Sequence, residues 1–187
     1  MFDFDAVVIG GGSAGLAFAK RAARLGASCL LVEKEHLGGT CVNRGCVPKK
    51  LLWDAAWLRE QQAAAGMTAP SLSFEHLRKS IQEKIVSIRS SFADDLEQSG
   101  VKLVRGSATV SKSGDVIQVG DKTYRTNTLV LASGARPSPL DIDGAEFSED
   151  SNDVLSWTEI PQSIIFLGGG YIGCELASIF AAFGASR

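Results

Sequence analysis

Hydrophobic and polar positions along the chain change period several times, and each change marks an expected element. Asp5-Ala-Val-Val-Ile9 is a short apolar run rich in β-branched residues, of the kind buried on both faces of a parallel sheet. Glycines follow at once. Ser13 to Leu25 is then alanine-rich and amphipathic, with Lys20, Arg21 and Arg24 on one side and Gly26 as the stop, which predicts a helix. Ser28 to Glu33 returns to strand character and completes a βαβ unit. From Leu37 to Arg44 glycines and polar residues break the pattern, so an irregular stretch is expected there. A second helix is expected from Cys46 to about Ala65, with Trp53, Ala56 and Trp57 along one side and Pro48 acceptable only in its first turn.

The Gly/Pro/Ser stretch from Gly66 to Ser71 separates that helix from a longer one, Phe74 to Gln98. Here Leu77, Ile81, Ile85, Ile88, Phe92 and Leu96 recur every three or four positions, a core-facing stripe closed by Gly100. Short strands are predicted at Val101–Arg105, Ala108–Ser111, Val116–Val119 and Thr123–Arg125, with Ser-Gly-Asp and Gly-Asp turn signals between them, as in a small antiparallel sheet. Thr128–Ala132 resumes buried-strand character. Pro137, Pro139 and Pro161 mark a surface connection, and Ser163–Leu167 reads as a further strand before a glycine cluster and a helix over Tyr171–Phe183. The expected fold class is α/β. A Rossmann-like first domain with an inserted antiparallel sheet spans 1–150, and the first βα unit of a second nucleotide-binding domain spans 151–187.

Composition narrows the function classes. The 187 residues are 45% hydrophobic and 21% charged, enough to bury a core. Lys plus Arg (19) nearly balances Asp plus Glu (21), without a basic stripe, which argues against nucleic acid as a partner. No apolar run approaches the roughly 18 residues of a bilayer helix, and the N-terminus lacks a signal-peptide pattern, so a cytoplasmic protein away from membranes is expected. Four cysteines are too sparse for a disulfide scaffold, and two of them, Cys41 and Cys46, lie close together, a spacing that suggests chemistry.

Gly10-Gly11-Gly12-Ser13-Ala14-Gly15 lies between a strand and a helix. Gly10 permits the turn, Gly12 lets the backbone approach a pyrophosphate at the helix N-terminus, and Gly15 lets helix and sheet pack closely. Glu33, at the end of the second strand, is placed to accept ribose hydroxyls. The same spacing recurs in Gly168-Gly169-Gly170-Tyr171-Ile172-Gly173, implying a second nucleotide, although a structural βα turn accounts for those glycines equally well.

In the segment GGTCVNRGCVPKK, from Gly38 to Lys50, Cys41 and Cys46 are five residues apart. On a regular helix that spacing separates the Cα atoms by about 8.6 Å, beyond the roughly 4.4–6.8 Å of a disulfide. The pair can close only where the backbone unwinds, which Gly45 and Pro48 allow. A bond across so short a loop gains little stability and should be easily reduced. Cys46, near a helix start and flanked by Lys49 and Lys50, is expected to have its thiolate favoured. Zinc would need two further ligands, and His36 alone does not supply them, so no metal site is assigned. Cys29 and Cys174 are expected to be small core residues, and His36 and His76 to be solvated.

With GGGSAG, GGTCVNRGCVPKK, LASGARP and GGGYIGCE all present in that order, the chain resembles the class I pyridine nucleotide–disulfide oxidoreductases, the family of glutathione reductase, dihydrolipoamide dehydrogenase, trypanothione reductase and mercuric reductase. The resemblance implies FAD on Gly10, Gly12, Ser13, Gly15 and Glu33, with Gly39, Thr40, Ser133 and Gly134 as further flavin contacts. It implies NAD(P)H on Gly168, Gly170, Tyr171 and Gly173, with Tyr171 over the nicotinamide pocket. Cys46 becomes the flavin-side thiol and Cys41 the thiol that exchanges with a small disulfide or dithiol substrate. Lys49 becomes the lysine near the flavin, ion-paired with Glu175. Most relatives have Thr where Ser133 stands, and the hydroxyl is kept. Val47-Pro48-Lys49-Lys50 is most like glutathione reductase, with dihydrolipoamide dehydrogenase or mercuric reductase as alternatives. Relatives of this kind are longer homodimers, so the chain is expected to be the N-terminal portion of one. A flavin-binding module without turnover is the alternative from another class.

Overall fold

The computed structural model describes Met1–Met67 and Ser73–Ser186, so most of the expected Gly66–Ser71 connection lies outside the described residues. The chain forms two units, Met1–Asn43 with Val86–Arg136, and Arg44–Ile85 with Pro137–Arg187.

In the first unit β1 (Phe4–Ile9), α1 (Ser13–Arg24) and β2 (Cys29–Glu33) form the expected βαβ unit, with β1 and β2 parallel and Ala6 opposite Cys29. Among the described residues the strands add up to one six-stranded sheet of order β3-β2-β1-β6-β5-β4, where β3 is Lys102–Arg105, β4 Ala108–Val110, β5 Val116–Val119 and β6 Lys122–Leu131. Two expectations are corrected here. The segment at 101–105 does not belong to an antiparallel sheet: β3 pairs parallel to β2, Leu31 opposite Leu103. The stretches 123–125 and 128–131 belong to one ten-residue strand, and Ala132 lies just beyond it. The first half of the strand runs antiparallel to β5 (Ile117 opposite Tyr124) and its second half parallel to β1 (Val8 opposite Val130). The polar residues Arg125–Thr128 disguise that continuity. They bridge two pairing environments, where Thr126 is buried and its hydroxyl donates to the Phe4 and Thr128 carbonyls.

Alternation along β1 and β2 sorts the core. Ala6, Val8, Cys29 and Leu31 point to one face and pack with Leu16 and Ala19 of α1 and with Leu96, near the end of the long helix α4 (Phe74–Gln98). Val7, Leu30 and Val32 point to the other face and pack with Ile117, Val119 and Tyr124 of the antiparallel strands. Burial on both faces explains why these strands read as continuous apolar runs rather than alternating ones.

The second unit contains α3 (Cys46–Ala64), the N-terminal half of α4, the short α5 (Ser151–Val154) and α6 (Tyr171–Ala182). Helix α3 has the expected extent, with Pro48 buried in its first turn. Asp150 and Asp153 form a reciprocal capping box on α5. Trp157 packs on Phe180 at 5.3 Å between ring centroids, and Phe74 on Phe183 at 5.7 Å. The strand expected at 163–167 is absent: that segment makes only a single parallel bridge, Ser163 to Ser186. A β-prone sequence needs a partner ladder to become a strand, and none of the described strands runs beside this one.

Candidate functional site

The first glycine cluster is enclosed. Gly10 has φ +108°, a conformation that favours glycine, and a Cβ there would lie 2.2 Å from the Ala132 carbonyl oxygen. A Cβ on Gly15 would lie 1.8 Å from the Gly10 carbonyl oxygen and against Val8, so α1 can approach the sheet only through glycine. Gly12 differs. A Cβ there would meet a single atom within 4 Å, the Gly39 Cα at 3.7 Å, so the backbone at the helix start is accessible to a ligand. Gly12 is the N-cap of α1, no side chain caps that terminus, no acid occupies the first turn, and Ser13 is exposed. These are the properties of an anion seat.

Glu33 completes the loop from below. It is 8% exposed; its Oε2 accepts the Gly11 N–H at 2.5 Å and its Oε1 accepts the Glu35 N–H at 2.7 Å. A carboxylate has about four acceptor positions, so each oxygen can still accept a hydrogen bond from a hydroxyl. Ser133 and Gly134 follow β6, exposed, beside the end of β1, where the Ala132 N–H donates to the Ile9 carbonyl at 2.8 Å. The donor and acceptor set at the carboxyl ends of these strands therefore fits a dinucleotide: free N–H groups at the start of α1 suit an anion, and the spare acceptor positions of Glu33 suit hydroxyls.

The segment expected to be irregular contains a short helix, α2 (Gly39–Arg44), which corrects the sequence reading. Glycine composition concealed it, because Gly38 and Gly39 have positive φ (+96° and +57°) and serve the turn that starts the helix. The Gly38 N–H donates to the Gly11 carbonyl at 2.8 Å, and a Cβ on Gly39 would lie 2.8 Å from the Gly12 Cα. Thr40 is exposed, Cys41 half-buried and Val42 buried. Helical geometry is interrupted at Gly45 (φ −152°, ψ −115°), where the sequence allows the backbone to unwind, before α3 begins at Cys46.

In the second unit Cys46 is exposed at the first position of α3. Lys49 Nζ lies 2.9 Å from Glu175 Oε1, joining α3 to α6, while Lys50 Nζ lies 2.8 Å from Asp54 and 4.1 Å from the Trp53 ring centroid. Both ammonium groups flanking Cys46 are thus held by carboxylates. Gly170 is the N-cap of α6, and Tyr171 is exposed. Cys29 is buried as expected, and burial pushes its thiol pKa up, with the Asp5 charge adding to the shift. Cys174 is not a core residue: it is exposed, with its Sγ 3.5 Å from the Gly169 carbonyl oxygen. It sits on the outer side of α6, whose inner face is made by Leu176, Ile179 and Phe180. His36 and His76 are exposed. Trp53 and Trp57 are partly exposed and stack on each other at 6.5 Å instead of filling the core.

Two residues that the sequence pattern does not single out, Asn43 and Arg89, fasten this segment. Asn43 Nδ2 donates to the Leu37 and Gly39 carbonyls at 3.1 and 2.8 Å, and Arg89 Nε donates to Asn43 Oδ1 at 2.6 Å. Burial lowers the Arg89 pKa. Arg89 stands beside the unbroken apolar stripe of α4, so no local pattern marked it.

Known proteins resemble this chain in sequence and in fold. The chain belongs to the pyridine nucleotide-disulphide oxidoreductase family, whose pattern it matches over residues 4–187. It is 36% identical over 189 residues to a glutathione reductase of Nostoc sp., covering 98% of this chain and 41% of that protein. A glutathione reductase of Schizosaccharomyces pombe is 34% identical over 194 residues, covering 97% and 42%. Among solved structures, the HOCl-induced flavoprotein disulfide reductase RclA from Escherichia coli superposes with a TM-score of 0.84 at 28% identity, over 97% of this chain and 40% of that one. The chain therefore spans about two fifths of the length of these proteins. Among the described residues no helix is long and apolar enough to cross a membrane.

Proposed function

We propose that the chain is the N-terminal part of an FAD-dependent, NAD(P)H-driven disulfide reductase whose substrate is a small disulfide of the glutathione type. The observation that carries the reading is in the first unit: α2 starts directly on the nucleotide loop, Gly38 on Gly11 and Gly39 on Gly12, so Cys41 stands two residues beyond a phosphate-type cradle. The glutathione reductase relatives and the Val47-Pro48-Lys49-Lys50 segment support the substrate class.

FAD, when bound, would accept two electrons from the nicotinamide and deliver them to a disulfide. The chain's own residues would do the rest. Gly12, Ser13 and Glu33 bind the dinucleotide, with Gly39, Thr40, Ser133 and Gly134 around it. Gly168, Gly170, Tyr171 and Gly173 hold the nicotinamide nucleotide. Cys41 thiolate attacks the substrate disulfide, forming a mixed disulfide and releasing one thiolate. Cys46 thiolate then attacks the Cys41 sulfur, releases the second thiolate and closes Cys41–Cys46. Two electrons and two protons restore the dithiol. Lys49, oriented by Glu175, supplies a fixed positive charge, and the homodimer implied by the resemblance belongs to the same proposal.

The test is the visible spectrum of the purified chain, supplemented with FAD, during anaerobic two-electron reduction, repeated for Cys46→Ser. Flavin absorbance with a long-wavelength thiolate band that the variant loses is the expected result. A band unaffected by Cys46→Ser overturns the reading, and failure to retain flavin leaves at most a fragment without activity of its own. Parallel assays with oxidised glutathione, lipoamide and mercuric ion separate the substrate alternatives.

A further inference from the structure

Among the described polar contacts of the first unit, one cluster fastens a distant helix to the cysteine segment. Asn43, on the last turn of α2, donates through Nδ2 to the Leu37 and Gly39 carbonyls and accepts the Arg89 Nε–H on Oδ1. Arginine only donates, so the amide oxygen must face Arg89 and the amide NH2 must face the carbonyls; the orientation is chemically determined. The two carbonyls flank Gly38, whose own N–H is bonded to Gly11 in the nucleotide loop. Helix α2 is thereby held from one side by the loop and from the other by α4, 46 residues away in sequence. Cys41 lies midway between Gly39 and Asn43. A six-residue helix has fewer than two turns and cannot sustain itself, because nucleation costs more than so few hydrogen bonds return. Its geometry depends on such anchors.

We propose that Arg89 is a positioning residue for Cys41: through Asn43 it keeps α2 wound against the nucleotide loop and so fixes where the exchanging thiol stands. This rests on the reading of Cys41 as that thiol. Arg89 touches neither substrate nor cofactor in this role; it acts by holding the Asn43 amide on the two carbonyls.

The experiment uses the full chain with FAD bound, its thiols reduced, and site-resolved iodoacetamide labelling read by mass spectrometry. Buried Cys29 reports global opening and exposed Cys174 reports the reagent. Arg89→Met is expected to raise the Cys41 labelling rate at least about fivefold by local fraying, with Cys29 still protected and Cys174 unchanged. Asn43→Ala should match it, since both remove the same link, and Arg89→Lys should fall between variant and wild type. When oxidised glutathione is then added, the variants should accumulate the mixed disulfide on Cys41, because Cys46 reaches a displaced sulfur more slowly. Cys41 labelling within twofold of wild type in both Arg89→Met and Asn43→Ala overturns the inference. So does Cys29 labelling that rises in step with Cys41 even in Arg89→Lys, which would make the pair a support of the whole fold. A wild-type protein that never closes Cys41–Cys46 refutes the functional reading instead, while the labelling comparison still decides the role of Arg89.

Discussion

The two glycine clusters share one spacing and each leads into a helix capped by its third glycine, but they differ in how closely the chain packs around them. At the first, a Cβ on Gly10 or Gly15 would overlap backbone oxygens, and Glu33 is buried beneath the loop. At the second, a Cβ on Gly168, Gly169 or Gly170 would meet nothing within 4 Å, a Cβ on Gly173 would come only to 3.2 Å from the Gly168 oxygen, and Ile165 before the cluster is exposed. The lesson is that G-x-G-x-x-G describes a backbone permission. What it is needed for depends on the strands that close around it: β1 is flanked by β2 and β6, whereas the segment before Gly168 has a single bridge.

That contrast makes predictions of decreasing size. Gly15→Ala should destabilise the first unit by about 3 kcal/mol or more and abolish flavin retention, since a backbone oxygen cannot move aside. Gly169→Ala should stay within about 0.5 kcal/mol of wild type. Urea unfolding of the two variants side by side is the measurement, and equal losses would erase the distinction. Glu33→Gln should cost about 1–3 kcal/mol, because an amide NH2 would face a backbone N–H and leave a buried donor unmatched. A shifted urea midpoint at unchanged slope, with weaker FAD binding, checks it. Lys49→Met should change stability by only about 0–1 kcal/mol, as its partner Glu175 is substantially exposed, while altering the spectrum of bound flavin.

The smallest effect is at the acid limb. Asp5 accepts hydrogen bonds from the Ser28 hydroxyl and the Ser28 N–H, which lower its pKa from the ordinary 3.8. A carboxylate with a depressed folded-state pKa adds stability that is present above 3.8 and lost as pH falls through the lower folded value. Asp5→Asn should therefore lose that small contribution at neutrality and converge on the wild type as pH falls through the folded value, which flattens the acid limb slightly. A profile that steepens instead would show that the hydrogen bonds to Ser28 do not stabilise the charged form in solution.

Legibility followed locality. The elements β1, α1, β2, α3 and α4 were readable because their signals, continuous apolar runs for the strands and helix-forming or amphipathic stretches for the helices, are written in consecutive residues. The continuity of β6 was not, since polar Arg125–Thr128 look like a turn until the switch from an antiparallel to a parallel neighbour is known. Helix α2 was hidden by glycines that serve a turn, and the exposure of Cys174 by an apolar neighbourhood whose facing direction no local pattern states. In the candidate site the glycines, Glu33 and the cysteine segment were legible as types and spacings. Arg89 was not, because its partner is 46 residues away.

The sequence by itself determined the chemistry available: two glycine turns, an acid after the second strand, and a cysteine pair that only an interrupted helix can close. Tertiary structure alone decided which glycines are irreplaceable, that β3 joins the parallel sheet, that the 163–167 segment is no strand, and that Asn43 connects Cys41's helix to α4. These outcomes depend on pairings between residues distant in sequence. A ladder, a close backbone approach or a buried donor acquires its energy only when the second partner arrives, and no local period records where that partner lies.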